Sequence, residues 1–113
     1  DPNTIHMSVH WGPLSDGKPP WELGQTATQH YSGPDFTEDF HLFSLEWDSD
    51  SLRWLVDEEV KFVSTLGIPH EPMYLIMNTA VGGGWPGSPD QTTVFPQFHD
   101  IDYVRFYEKN ETD

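Results

Sequence analysis

Met73-Tyr-Leu-Ile-Met-Asn-Thr-Ala-Val-Gly-Gly-Gly-Trp-Pro-Gly87 is the stretch from which the rest of the chain is read. An uncharged run of apolar and small residues predicts a buried strand over 73–81, with Tyr74, Ile76, Asn78 and Ala80 on one face. The three glycines Gly82, Gly83 and Gly84 then remove side chains where backbone bends or lets a ligand approach, and Trp85 sets a flat apolar face beside them. Two readings stand at this loop: a strand-end site for a ligand with a flat apolar face, such as a sugar ring, or a glycine-rich turn whose Trp closes one end of the core. Asn78 bears on the choice. A buried amide without partners costs a few kcal/mol, so it either bonds neighbouring backbone or points into a polar cleft.

Around this stretch the composition is that of an all-β chain. The 113 residues hold 10 prolines and 9 glycines, and 14% are aromatic. Gly and Pro thus punctuate runs rich in Val, Ile, Thr, Tyr, Phe and Trp. That length accommodates one domain at most. No window of 18 apolar residues is present, and Asp1-Pro2-Asn3 lacks both the charged and the apolar region of a signal peptide, so no membrane partner is expected. With 19 Asp and Glu against 5 Lys and Arg, the formal charge is −14. Phosphate backbones would be repelled, and nucleic acid is not an expected partner. The acidic residues are dispersed, which favours a solvated surface over a cation site. Zero cysteines exclude disulfides, thiol catalysis and Cys-based zinc sites.

Toward the N-terminus, residues 4–11 alternate strictly. Ile5, Met7, Val9 and Trp11 take one face and Thr4, His6, Ser8 and His10 the other, which predicts a strand with a core side and a polar side. The polar side suits a wet surface or the floor of a polar cleft. His6 and His10 are spaced for a shared metal only on a helix, and β-branched alternation argues against one. Residues 12–34 carry Gly-Pro, Asp-Gly, Pro-Pro and Ser-Gly signals and predict a long loop with one short strand. Loops of that length are often functional, and Trp21 and Tyr31 are expected as an exposed aromatic rim. Residues 40–47, 52–56 and 60–63 predict an antiparallel meander. Glu46, Asp48 and Asp50 share a face if the chain is extended, as a general acid and base pair would require, but Asp48-Ser49-Asp50-Ser51 reads better as a solvated turn. Residues 99–107 alternate as a last strand, and the tail from Glu108 is polar.

Six motifs stand in a set order: Asp1-Pro2-Asn3-Thr4-Ile5-His6-x-x-x-His10, Phe40-His41-x-x-x-Leu45-Glu46-Trp47, Leu52-Arg53-Trp54 with Val56-Asp57, Asn78-x-Ala80-Val81-Gly82-Gly83, Trp85-Pro86-Gly87 and Ile101-Asp102-Tyr103-Val104-Arg105. Together they resemble the C-terminal half of a family 16 glycoside hydrolase, the laminarinase and lichenase group of endo-β-glucanases, from the first residue to about Tyr107. The resemblance implies a concanavalin A-like β-jelly-roll sandwich, of which residues 1–113 are the C-terminal portion of a single domain. It also implies an open cleft for β-glucan, retaining hydrolysis and an extracellular, secreted protein.

In the family, the nucleophile and the acid/base residue come from a Glu-x-Asp-x-x-Glu or Glu-x-Asp-x-Glu strand just upstream of the Pro-Asn-x-x-His segment. Neither form occurs in this chain. Retention requires two carboxyl groups roughly 5 Å apart, so no catalytic residue is assigned and the isolated chain is expected to be inactive. What the resemblance carries over is binding. His6, Ser8 and His10 match the strand beside the catalytic strand, Asn78 a cleft-facing amide, and Trp85 a sugar-stacking indole. Ala80 stands where many lichenase-type members have a cleft Trp, which points to the laminarinase branch and a β-1,3- or mixed-linked glucan. Asp102 matches a position that helps hold a structural calcium in many members; no cofactor is expected for catalysis. The expected partners are the polysaccharide and either a complementary N-terminal half or a second copy. Three functions compete: part of an endo-β-glucanase, a non-catalytic glucan-binding module of the same fold, and a half-sandwich that pairs with itself.

Overall fold

The computed structural model describes residues 1–13 and 15–110, in two units, residues 1–73 and residues from Tyr74 onward. In the first unit β1 (Thr4–His10) pairs antiparallel with β2 (Thr26–Ser32), in a register that sets His6 opposite His30 and Ser8 opposite Thr28. A second sheet has the order β3 (Phe43–Trp47), β4 (Leu52–Val56), β5 (Glu59–Ser64). The alternation in residues 4–11 is obeyed: Met7 and Val9 are buried, while His6, Ser8 and His10 are exposed. Leu52 and Val56 are the buried apolar residues of the second sheet.

Between β1 and β2 the loop reading falls short. The segment holds a short 3-10 helix (Pro20–Leu23) and then a full seven-residue strand in place of a short one. Thr26, Thr28, His30 and Ser32 alternate with Ala27, Gln29 and Tyr31, a pattern that the surrounding Gly and Pro signals mask. Beyond the ladder, Trp11 N–H donates to the Gln25 carbonyl at 3.1 Å, so the two strands stay together up to the loop.

The meander forms as expected, with shifted limits. Its first strand begins at Phe43, not Phe40, because the Asp57 carboxylate takes the preceding residues: Oδ1 accepts Leu42 N–H at 3.0 Å and Oδ2 bonds His41 Nδ1 at 2.7 Å. In the β3–β4 turn, Asp48 Oδ1 accepts the amides of Asp50 and Ser51 at 2.8 and 2.9 Å, the local bonding for which Asp is favoured in turns. Asp57 and Glu58 connect β4 to β5 with φ of 50° and 70°. Two positive φ values give the turn whose twist matches that of the flanking strands. Phe43, Leu45 and Trp47 share the face that carries Leu52, Trp54 and Val56, yet they remain 56%, 54% and 43% exposed.

In the second unit the expected strands 73–81 and 99–107 are not found. Residues 74–110 contain no strand, although Gly87 N–H closes a turn onto the Gly83 carbonyl at 3.0 Å and Thr79 Oγ1 meets His99 Nδ1 at 2.9 Å. A strand is defined by a neighbour that takes its backbone groups, and no ladder pairs either segment among the described residues. Leu75, Ile76, Met77, Val81 and Phe95 are exposed accordingly.

Candidate functional site

The polar face of β1–β2 collects hydroxyl and imidazole groups in cross-strand pairs. At one end the His6 and His30 rings lie edge to face, 4.2 Å between centroids. In the middle Ser8 Oγ and Thr28 Oγ1 are 2.7 Å apart, and Thr28 gives its single proton to the Met7 carbonyl at 3.2 Å. Ser8 is therefore the donor between the two hydroxyls, and its own oxygen keeps lone pairs for an outside donor. At the far end His10 Nδ1 is 2.7 Å from Thr26 Oγ1. The His10 ring also meets the Trp21 indole at 5.7 Å, with 69° between their planes.

This face has hydrogen-bonding capacity and little fixed charge. Of the residues expected from the sequence, it brings together His6, Ser8 and His10. Asn78, Trp85 and Asp102 belong to the second unit, where all three are exposed, Trp85 at 80%. Thr26, Thr28 and His30 were not foreseen, and the alternation of β2 was the signal that could have found them. A hollow of about 790 Å³ adjoins the His10 end and is also lined by Trp11, Asp50, Gly67, His70 and Glu71.

One expected feature turns out otherwise. Tyr31 is no rim residue: it is half-buried, with the Lys61 ammonium 4.2 Å over its ring and Phe36 edge-on at 6.2 Å. Of the two aromatics expected on the rim, Trp21 is the exposed one, at 64%. As for Asp102, no group of three or more His, Cys, Asp or Glu side chains gathers among the described residues. Calcium takes six to eight oxygens, so a calcium at Asp102 would need ligands beyond the carboxylates of the described residues. No helix among the described residues is long and apolar enough to cross a membrane.

The chain is similar to several known proteins. The glucan endo-1,3-beta-glucosidase A1 of Niallia circulans is 30% identical over 126 residues, covering 96% of this chain and 17% of the relative. The clotting factor G alpha subunit of Tachypleus tridentatus is 33% identical over 101 residues, or 81% of this chain and 15% of the relative. Among solved structures, the laminarinase catalytic domain of Thermotoga maritima superposes with a TM-score of 0.68 at 38% identity, over 84% of this chain and 40% of that one. The chain thus spans less than half of each of the three, and its two antiparallel sheets are part of the same all-β jelly roll. The profile of glycosyl hydrolases family 16 matches residues 1–105, so the chain belongs to that family.

Proposed function

We propose that this chain supplies the substrate-binding side of an endo-acting glycoside hydrolase that cleaves β-1,3- or mixed-linked β-1,3-1,4-glucan with retention. The observation that carries the reading is the polar face of β1–β2, where imidazoles and hydroxyls stand in rows without a carboxylate pair among them. Neutral sugars are recognised by such groups, each hydrogen bond contributing on the order of 1 kcal/mol. Ser8 would accept from a sugar hydroxyl, and His6 and His10 would bond its neighbours. In the second unit, Asn78 and Trp85 are proposed as an amide and a stacking indole for glucan.

Catalysis belongs to a complementary polypeptide segment bearing the Glu-x-Asp-x-x-Glu strand, and residues 1–113 then form the C-terminal portion of one sandwich domain. Calcium at Asp102 would draw its remaining ligands from that segment. Secretion is part of the same reading, as the substrate is an extracellular polysaccharide. Reducing-sugar release tests it. The isolated chain should release nothing from laminarin or mixed-linked β-glucan and should gain activity when the complementary segment is added; hydrolysis by the isolated chain, lost on replacing Glu46 or Asp48, would sink the assignment.

A second reading is a non-catalytic β-glucan-binding module of the same fold. It is favoured by the match to a clotting factor subunit, whose name is not that of a hydrolase. If the complemented protein retards on laminarin-containing gels yet never cleaves, this second reading replaces the first.

A further inference from the structure

Trp21 stands outside every motif that the family resemblance rests on, and folding does little to explain its place. Its indole is exposed on a 3-10 helix that the chain goes to some length to fix. Pro19 and Pro20 set the helix entry, Glu22 N–H donates to the Pro19 carbonyl at 3.0 Å, and Gly24 leaves it with a φ of 71°. Gln25 then ties the segment down: its backbone N–H reaches the Pro20 carbonyl at 2.9 Å, and its side-chain amide reaches the Pro13 carbonyl at 3.0 Å. A large apolar plate is therefore presented to solvent on a tied backbone, against His10 and at the end of the polar row. A flat apolar surface adjoining imidazole and hydroxyl groups is the surface a pyranose ring requires, since its C–H face stacks while its rim hydroxyls bond.

We infer that Trp21 is a stacking platform for one pyranose of a neutral glucan, with His10 and Thr26 facing the rim of the same ring. The inference rests on the reading of the β1–β2 face as a glucan site and adds a subsite to it. The pair His10–Trp21 sets the position of the sugar, because a ring stacked on the indole brings its hydroxyls to the imidazole. A β-glucan segment crossing this end of the face would meet an aromatic plate there in addition to the hydrogen-bonding row.

The test is a titration with laminarihexaose of the 15N-labelled 113-residue chain combined with the unlabelled complementary segment, followed by NMR. The Trp21 indole resonance is assigned by its loss in Trp21→Phe. The expected result is a saturable shift of that indole together with the His10 and Thr26 amides. Affinity should fall roughly three- to tenfold in Trp21→Ala, the range typical of an aromatic stacking contact, and less in Trp21→Phe. Thermal midpoints should be unchanged in both variants because the side chain is largely in solvent. If the β1–β2 amides shift saturably while the Trp21 indole does not and Trp21→Phe binds like the parent, the platform is overturned and the glucan site stands. If no β1–β2 amide shifts, the glucan site itself is overturned and the platform with it. The indole readout in the parent chain decides the matter even if Trp21→Ala fails to fold.

Discussion

Gly67 has no room for a side chain. With a φ of 67° it is in the left-handed region, and a Cβ built there would run into the Trp11 indole. Gly67→Ala should therefore destabilise the chain by about 2–5 kcal/mol, combining left-handed strain with overpacking, and urea unfolding would show it as a lower midpoint with an unchanged slope. The opposite change is available at Glu58, where a long side chain sits at a φ of 70° in the β4–β5 turn. Glu58→Gly creates the Asp-Gly pair that this turn favours and should stabilise by on the order of 1 kcal/mol, read as a rise in thermal midpoint. The sequence places Glu58 in the turn between β4 and β5, but the constraint on Gly67 was not legible there. The 66–72 segment reads as a connector, but what makes one glycine of it indispensable is a ring at the end of β1, and side-chain proximity across the fold leaves no mark on local pattern.

Strands whose partners lie nearby were legible where alternation was clean: residues 4–11 gave β1 with its polar and buried sides, and the meander emerged with its turns. β2 was shortened because turn residues crowd its flanks, and the aromatic expectation failed for Tyr31 because Lys61, brought over by β5, covers it. The candidate site was legible by half, one strand of its two. Long-range clasps were not legible at all. Asp57 holds His41 and Leu42 at the mouth of the meander, and its carboxyl lies below the ordinary 3.8 chiefly through the His41 hydrogen bond, then the Leu42 amide. A depressed carboxyl contributes stability above its unfolded value and loses it as pH falls through the folded one. Acidification should thus loosen this clasp starting near pH 4 and continuing below, with the Leu42 amide losing exchange protection earlier than the β4–β5 ladder; equal loss at both would place the acid sensitivity elsewhere.

For the molecule as a whole, the notable feature is apolar surface left in water. Phe43, Leu45 and Trp47 form a row along the edge strand β3, with β4 on one side only. Edge strands with such rows invite pairing. Sedimentation of the purified chain at micromolar concentration in about 1 M salt should show self-association, and a well-dispersed monomer with cooperative unfolding under those conditions would refute the half-sandwich reading. The same row also bears on which partner covers it. Two copies of this chain bring formal charges of −14 face to face, whereas an oppositely charged or neutral polypeptide meets no such barrier. Added salt shortens the Debye length from about 30 Å at 0.01 M to about 3 Å at 1 M and erases that discrimination. Dilute buffer should therefore keep the β3 row open for a foreign segment, while brine should let the chain close on itself, so that the ionic strength of the medium decides whether this surface recognises self or other.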